Sequence, residues 1–516
     1  MLSRRHFIAG SAAPFIAAPA ILRAQSIWRE YPFSLGVAAG DPAADGFVIW
    51  TRLAPQPLEP HGGMAMSPLP VKWQIAADPR FDSIVREGEE LARPELGHSV
   101  HVELAGLEPD RPYWYRFEAG GERSIHGQAR TLPVAGSSPG ALRFGVAGCQ
   151  NYSDGYYTAY RHMAEREELA FVYHYGDYIY EYRGDAVRPA RGGSLAVAAR
   201  PGIGQDAFDL MDYRQRYALY KSDPDLQRAH AAFAFFHTFD DHEITNNWVQ
   251  DIDPDGAPPE LFRTRRAMAL QAWYENLPVR RASMPRFGVA QAYRAVRYGE
   301  LAEIALLDTR QYRSDQPCGD GFRPACPEVT AADAQVLGAE QEAWLTRNLG
   351  RSQARWNCLA QQVMMMSVDR RRTPDEAPAK VLNLDTWAAY EVPRQRLLAR
   401  MGGLRNVVVL TGDEHQNWAG ELLDDRDRLV GVEFVATSIS SGGDGSDLRP
   451  GSEHILALNP QLRFLNDQRG YLTCDVGRDE WRTNFMVADR VSTPGGTVSK
   501  RATWAVARGE AALRQV

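Results

Sequence analysis

The sequence has few cysteines and no excess of positive charge. Five cysteines in 516 residues are few, and Cys318 and Cys326 enclose a short loop that could close a disulfide in an oxidising compartment. The formal net charge of −7 leaves no basic excess to neutralise a nucleic-acid backbone, which excludes nonspecific nucleic-acid binding by charge. It does not exclude a small phosphorylated ligand, which needs only a few local cations. No internal repeat and no low-complexity tract is present.

The N-terminus lacks an apolar run long enough to remain as a membrane span. Arg4 and Arg5 precede an apolar segment, residues 7–22, that glycine and proline interrupt. Ser-Arg-Arg-x-Phe-Ile resembles the twin-arginine export signal. We interpret residues 1–24 as a twin-arginine signal peptide. We therefore expect the protein to be exported by the twin-arginine machinery and to be periplasmic or secreted. The alternative is a membrane anchor retained in the mature protein.

Residues 30–133 are predicted to form a small all-β, fibronectin-like sandwich. The runs FVIWTRL, VKWQIAA, SVHVELAGL and YWYRFEAG alternate apolar and polar residues between turn formers. The segment GLEPDRPYWYRF resembles the tyrosine corner of such sandwiches, with Tyr113 or Tyr115 as the corner residue. We expect this domain to pack against the rest of the chain, and binding of a carbohydrate or partner is the alternative. Residues 133–141, rich in Pro, Gly and Ser, are interpreted as a linker.

Residues 142–490 alternate apolar strands with amphipathic helices, which predicts an α/β domain with sheets covered on both faces. Residues 183–206 form a long excursion, and such loops commonly control access to a site. The tail, residues 491–516, is predicted to be a turn followed by a short helix that serves as a lid or only as packing.

Polar clusters follow four of the predicted strands. Ligands and catalytic groups of α/β proteins lie at the carboxyl ends of strands, so four clusters in one such region favour a shared site over separate caps and turns. Carboxylate and phenolate oxygens suit Ca, Mn or ferric iron. We therefore predict a metal site at the sheet edge, formed by Cys149-Gln150-Asn151, Asp177 to Glu181, Asp240 to Glu243 with Asn246 and Asn247, and Asp413 to Asn417.

The blocks GCQ, GDYIYE, DDHEITNN and GDEHQNW resemble, in order and type, the signatures of PhoD-type alkaline phosphatases and phosphodiesterases. These belong to the calcineurin-like metallophosphoesterases, close to the purple acid phosphatases. Cys149 stands where the wider superfamily has its first aspartate, and Asp413 replaces the first histidine of GHxH. The resemblance implies a four-layer α/β/β/α sandwich behind the N-terminal sandwich. It also implies an exported phosphoesterase that hydrolyses phosphate mono- or diesters by in-line attack of a metal-bound hydroxide.

The resemblance also implies the ligands and their metals. Fe³⁺ would be held by Cys149, Asp177, Tyr180 and His415, with Asp177 bridging to a second ion, expected to be Ca²⁺ and completed by Asp241 and Asp413. The superfamily's further histidine has no convincing counterpart. Gln361 or Gln362 occupies that region, and Asn246 or Asn247 are further candidates for metal or substrate binding.

Other residues are candidates for handling the substrate. His242 would donate a proton to the leaving group or contact the phosphate. Arg310 is either a phosphate clamp or part of an internal ion pair with Asp308. Asp385 and Tyr390 either line the pocket or serve in packing.

Two rival functions follow from the same sequence. The site could act as a phosphodiesterase or phospholipase D-like enzyme on phospholipids or teichoic-acid-like polymers. Alternatively, the chain could be a non-catalytic exported binding module with an inert α/β domain.

Overall fold

The computed structural model describes residues 27–184, 187–189, 195–373, 375–377, 379–404 and 406–516. The predicted signal peptide, residues 1–24, lies outside the described residues. Within those ranges no helix is both long enough and apolar enough to cross a membrane.

The first described segment, up to the predicted linker, is all-β, as the alternating pattern predicted. Its strands are β1 Val37–Ala43, β2 Gly46–Arg52, β3 Leu69–Ala76, β4 Ile84–Ala92, β5 Ser99–Glu103, β6 Pro112–Ala119, β7 Glu122–Arg123 and β8 Gly127–Arg130. Sheet β4-β3-β6-β7, with β8 beside β6, faces β1, β2 and β5 across a shared apolar cluster. Tyr113 is the corner residue, because its hydroxyl accepts the backbone N–H of Glu108 at 2.9 Å.

The remaining residues form the predicted α/β region. Its helices are α1 Thr158–Arg166, α2 Leu210–Lys221, α3 Pro224–Ala232, α4 Pro259–Asn276, α5 Gly338–Arg351, α6 Glu391–Met401 and α7 Ser452–Leu458. Its strands are β9 Ala141–Ala147, β10 Val172–His174, β11 Val187–Pro189, β12 Leu195–Val197, β13 Ala234–His237, β14 Arg294–Tyr298, β15 Ala302–Leu306, β16 Phe322–Pro324, β17 Trp356–Ala360, β18 Val381–Asn383, β19 Val407–Thr411, β20 Asn417–Leu423, β21 Leu429–Val435, β22 Leu462–Asn466, β23 Gly470–Gly477, β24 Glu480–Ala488, β25 Val498–Ala507 and β26 Arg514–Gln515.

Two large sheets pack face to face between helices, which confirms the predicted four-layer architecture. One has the order β26-β25-β24-β23-β9-β10-β13-β1-β2-β5, and the other β14-β15-β17-β19-β21-β20-β22. Phe144 and Trp481 of the first sheet share an apolar cluster with Trp356 and Phe434 of the second. Helices α1 to α4 pack with β10 and β13, and α5 and α6 pack with β17 and β19. These strands are apolar on both faces because both faces are covered.

The central strands of each large sheet run parallel. Strand β10 pairs in parallel with β9 and with β13, and β15, β17, β19 and β21 form a second parallel run. The carboxyl ends of neighbouring parallel strands meet at one edge of a sheet, so the loops after β9, β10, β13 and β19 converge.

The N-terminal strands also extend the first large sheet. Strand β1 pairs in parallel with β13, with Ala39 opposite Ala234 and Gly40 opposite Phe235. A Cβ at Gly40 would lie 2.2 Å from the carbonyl oxygen of Pro278 and 2.8 Å from that of Phe235, so only glycine fits this contact. The predicted boundary between residues 133 and 142 therefore does not interrupt the sheet.

The predicted helix in the tail is wrong, because residues 498–507 form strand β25 and residues 514–515 form β26. Strand β25 pairs antiparallel with β24, and Ala502, Trp504 and Val506 face the core at alternate positions. This period-two pattern with β-branched and aromatic residues is typical of a strand.

Candidate metal centre

Four side chains predicted to bind one ion lie together in the structure. The Sγ atom of Cys149 lies 3.4 Å from Oδ2 of Asp177, and the hydroxyl of Tyr180 donates to the same oxygen at 2.9 Å. Nε2 of His415 lies 3.1 Å from the Tyr180 hydroxyl. All four residues are buried, although they come from three separate loops. Sulfur, carboxylate, phenol and imidazole groups at this spacing can bind a single transition-metal ion.

The loops bearing these groups have unusual backbone conformations. Cys149, Asp177, Asp413 and His415 have φ values of 51°, 54°, 65° and 53°, in the left-handed region that residues other than glycine rarely adopt. Such strain persists where the surrounding structure fixes it, and it is common at functional sites. Gly176 has a φ of 136°, and a Cβ there would lie 2.4 Å from the backbone nitrogen of Asp240.

A second group of acidic residues lies beside the first. Potential ligand atoms of Asp177, Asp241 and His242 lie within 4.8 Å of one another, as do those of Asp240, Asp241 and Asp413. Asp240 was not among the predicted ligands. Oδ2 of Asp240 and Oδ1 of Asp241 are buried without a hydrogen-bond partner among the described residues. Buried carboxylate oxygens without a partner fit a bound cation with hard oxygen ligands.

The electrostatics of these acids also fit a cation. Burial raises the pKa of Asp177 well above its ordinary value, and the nearby carboxylate of Asp241 raises it further. The pKa of Asp413 is also raised well above its ordinary value, by burial and by the carboxylates of Asp240 and Asp241. Burial and the Asp177 carboxylate raise the pKa of the Cys149 thiol. These groups therefore ionise together only when positive charge offsets their desolvation and mutual repulsion.

Arg310 supplies part of that positive charge. Its guanidinium is fully buried, with Nε donating to Oδ1 of Asp240 at 2.5 Å and Nη1 donating to Oδ1 of Asp385 at 2.9 Å. Nη2 lies 3.7 Å from Oδ1 of Asp241. Burial alone raises the pKa of Asp241, but Arg310 and His242 outweigh it and the net pKa is lowered. The Arg310 guanidinium therefore forms internal ion pairs, but with Asp240 and Asp385 and not with Asp308, as the alternative had it. From Arg310, the Asp308 carboxylate accepts the backbone N–H, at 3.0 Å, rather than the guanidinium.

Asp385 and Tyr390 lie in the same buried network. Asp385 also pairs with Arg313, and the Tyr390 hydroxyl donates to the carbonyl oxygen of Ser314 at 2.9 Å. Oε1 of Gln362 accepts the Thr309 hydroxyl at 2.7 Å, and Oε1 of Gln361 accepts the Trp387 indole N–H at 2.6 Å. The contacts of Asp385 and Tyr390 match the packing alternative, and the side-chain oxygen of each glutamine accepts a hydrogen bond from the protein.

His242 is held by a carboxylate that the sequence analysis did not assign. Its Nδ1 donates to Oε2 of Glu181 at 2.7 Å, and Oε1 of Glu181 accepts the backbone N–H of Asn246 at 2.9 Å. Burial alone would lower the pKa of His242, but Glu181, Asp241 and Asp177 outweigh it and raise the pKa well above its ordinary value. The neighbouring carboxylates therefore favour the protonated ring, and Glu181 fixes its orientation.

Asn247 connects the second ligand group to a disulfide-closed loop, residues 318–326. Its backbone N–H donates to Oδ2 of Asp241, and its Nδ2 donates to Oδ2 of Asp320, both at 2.7 Å. Asp320 lies between Cys318 and Cys326, which form the disulfide that the sequence left open.

The same disulfide-closed loop borders the loop of Asp413 and His415. Phe322 on β16 pairs with Asn383 on β18, whose Nδ2 donates to Oε1 of Glu414 at 3.2 Å. Phe322 itself is 55% exposed.

A fifth loop, residues 437–443, enters the site and was missed by the sequence analysis. It follows β21, and the Ser441 hydroxyl lies 2.7 Å from the Tyr180 hydroxyl. Arg469 fixes this loop, because its Nη1 donates to the carbonyl oxygens of Ser441 at 2.8 Å and of His415 at 2.7 Å. The sequence does indicate this loop, since a polar run, TSISSGGDGSD, follows the strand VGVEFVA as the other polar clusters follow theirs.

The four-layer fold has a counterpart among solved structures. A purple acid phosphatase from yellow lupin, PPD1, shares the fold with a TM-score of 0.54 over 92% of this chain and 74% of that one, at 10% identity.

Family models define the class of protein, the phosphatases, which hydrolyse phosphoric ester bonds. The model described as PhoD-like phosphatase matches residues 144–485, and the model of its N-terminal domain matches residues 18–133. The chain belongs to the PhoD-like phosphatase family. This confirms the predicted family and the predicted class of enzyme, a hydrolase of phosphoric ester bonds, over a non-catalytic binding module.

Two relatives are similar along nearly the whole chain. Alkaline phosphatase D of Bacillus subtilis (strain 168) is 44% identical over 495 residues, which is 95% of this chain and 83% of that protein. A solved structure of PhoD has a TM-score of 0.90 at 44% identity and covers 95% of this chain and 93% of its own.

Metal removal should lower stability in a way that depends on pH. Without metal, the pKa values of Asp177 and Asp413 are higher in the folded protein than in the unfolded chain. Their protonated forms therefore stabilise the folded state at low pH, and this stabilisation is lost as pH rises through the folded-state pKa values. A cation replaces the protons, so we expect a chelator to lower the unfolding temperature little near about pH 4 and strongly near about pH 8.

Differential scanning fluorimetry of the metal-loaded protein, with and without chelator, measures this effect. Asp177→Ala should abolish the response, whereas Asp425→Ala, at an exposed aspartate, should retain it. A wild-type unfolding temperature that ignores the chelator at both pH values would contradict the site.

Proposed function

We propose that the site holds Fe³⁺ and Ca²⁺ and hydrolyses phosphate esters outside the cytoplasm. Cys149, Asp177, Tyr180 and His415 would hold the ferric ion, because thiolate, phenolate and imidazole favour a transition metal. Asp177, Asp241 and Asp413 would hold calcium, with Asp240 as a further oxygen donor. Oδ2 of Asp240 and Oδ1 of Asp241, which are buried and accept no hydrogen bond among the described residues, are the observation that supports the second ion most directly.

When bound, the cations acidify a water molecule and withdraw charge from the phosphoryl oxygens. His242 acts as the general acid that protonates the leaving-group oxygen. Glu181 accepts the Nδ1–H of His242 at 2.7 Å, which leaves Nε2 to donate. Arg310 takes no part in substrate binding in this proposal, and instead holds the carboxylates of Asp240 and Asp241 in place.

The resemblance of residues 1–24 to a twin-arginine signal supports export of the folded protein to the periplasm or beyond. The substrate is a phosphorylated small molecule or polymer. One observation favours diesters with a bulky leaving group, including phospholipids and teichoic-acid-like polymers. Phe322 is exposed on the disulfide-closed loop, which contacts Asn247 directly and Glu414 through Asn383, so one apolar side chain is carried by a segment that is joined to two of the ligand-bearing loops.

Removing one iron ligand tests the assignment. Cys149→Ala should lose iron and reduce turnover of a p-nitrophenyl phosphate ester by more than about 100-fold, while circular dichroism shows a folded protein. The matched control is Cys474→Ala, which removes a buried free thiol from the core. We expect that variant to retain about one iron per chain by elemental analysis. Near-wild-type turnover and iron content in Cys149→Ala would refute the assignment.

The proton donor is tested by varying the leaving group. His242→Ala should slow hydrolysis of an alkyl phosphate by about 100-fold or more, because an alkoxide needs a proton to leave. The effect on p-nitrophenyl phosphate should be much smaller, because p-nitrophenolate leaves unprotonated. Glu181→Gln should show the same pattern more weakly. Equal losses on both substrates in steady-state kinetics would exclude the general-acid role.

The preference for diesters is tested at the disulfide-closed loop. Phe322→Ala should raise KM for bis-p-nitrophenyl phosphate by about 5-fold, as expected for loss of about 1 kcal/mol of apolar contact, with little change for a methyl phosphate ester. Phe287→Ala serves as the control, since Phe287 is a fully exposed phenylalanine outside the disulfide-closed loop. Unchanged KM for the diester would remove the support for diester preference.

A further inference from the structure

The loop of residues 437–443 places one hydroxyl against two of the predicted iron-binding segments. Oγ of Ser441 lies 2.7 Å from the Tyr180 oxygen and 2.6 Å from the carbonyl oxygen of Cys149. It accepts the backbone N–H of Asn151 at 3.0 Å. Ser441 is 1% exposed, so water does not compete for these bonds.

The Ser441 hydroxyl has one proton and two acceptors. The Cys149 carbonyl oxygen also accepts the backbone N–H of Ser441 at 3.3 Å, so it keeps a hydrogen bond without the hydroxyl. A phenolate oxygen carries charge and accepts a hydrogen bond roughly twice as strongly as a neutral carbonyl. The proton is therefore directed to Tyr180 whenever that residue is ionised.

Neighbouring groups keep the hydroxyl in position. Nη1 of Arg469 donates to the Ser441 carbonyl oxygen at 2.8 Å and to Oγ of Ser438 at 2.9 Å. The backbone N–H of Ile439 donates to the carbonyl oxygen of Gly148 at 3.0 Å, and that of Gly442 donates to Asp154 at 2.9 Å. These bonds join the loop to the Cys149 segment and hold Ser441 at a fixed distance from Tyr180.

We propose that Ser441 is a positioning residue that donates a hydrogen bond to the Tyr180 phenolate and so sets how strongly that oxygen donates charge to iron. The inference rests on the proposed iron site. A donor on the phenolate oxygen stabilises its electrons, which raises the energy of the phenolate-to-iron charge-transfer transition. It also orients the ring, as partners of metal ligands commonly do.

The test compares visible absorption spectra of the iron-loaded full-length protein. Ser441→Ala should shift the charge-transfer band to longer wavelength and weaken iron retention against a chelator by about 10-fold. Ser441→Thr, which keeps the hydroxyl, should restore the wild-type band. Should Ser441→Ala not fold, Ser441→Cys, with its weaker S–H donor, should shift the band in the same direction.

Ser440→Ala is the matched control. Ser440 is the buried neighbour whose hydroxyl donates to the carbonyl oxygen of Asn151 at 2.8 Å, so its loss should leave the band unchanged. An unshifted band in Ser441→Ala, or an equal shift in Ser440→Ala, would overturn the inference while leaving the iron site intact. A wild-type protein that binds iron without such a band would overturn the Tyr180 ligand assignment and the inference with it.

Discussion

The centre of this protein depends on burying many acidic groups at one place. Asp177, Asp240, Asp241 and Asp413 lie together without exposure to bulk water, and each ionised carboxylate raises the cost of ionising the others. Arg310 offsets part of this charge and is itself buried. The remaining negative charge is offset either by protons, as the raised pKa values of Asp177 and Asp413 favour, or by a cation bound among these side chains. The sheets and loops that position the acids are thus organised around a charge balance that protein groups alone leave incomplete.

The geometry of the sheets explains how distant sequence segments reach this place. Parallel strands β9, β10 and β13 belong to one sheet, and β19 belongs to the other, yet their carboxyl ends open at a common edge. Left-handed backbone conformations at Cys149, Asp177, Asp413 and His415 turn each chain sharply at the end of its strand. Strain of this kind is maintained by the packed layers behind it.

Much of this arrangement could be predicted from the sequence, because strand ends and oxygen-rich clusters are local signals. Asp177, Tyr180 and His415 follow recognisable strands, and period-two or apolar runs indicated the sandwich and the layered region. The partners of Arg310 could not be predicted, since Asp240 and Asp385 are 70 and 75 residues away and only packing selects them over nearby Asp308. Ser441 was missed because a serine-rich run after a strand is also typical of an ordinary turn, and only the folded structure shows that it lies against Tyr180.

The pairing of β1 with β13 has a further consequence for how the chain can be divided. Strand β13 leads directly into Asp240 to Glu243, and β1 satisfies backbone groups along its outer side. A fragment lacking the N-terminal strands would present β13 as a naked edge, which readily recruits strands from other molecules. The N-terminal strands therefore cover the edge of the sheet in the α/β region and protect that region from aggregation, in addition to any binding of their own.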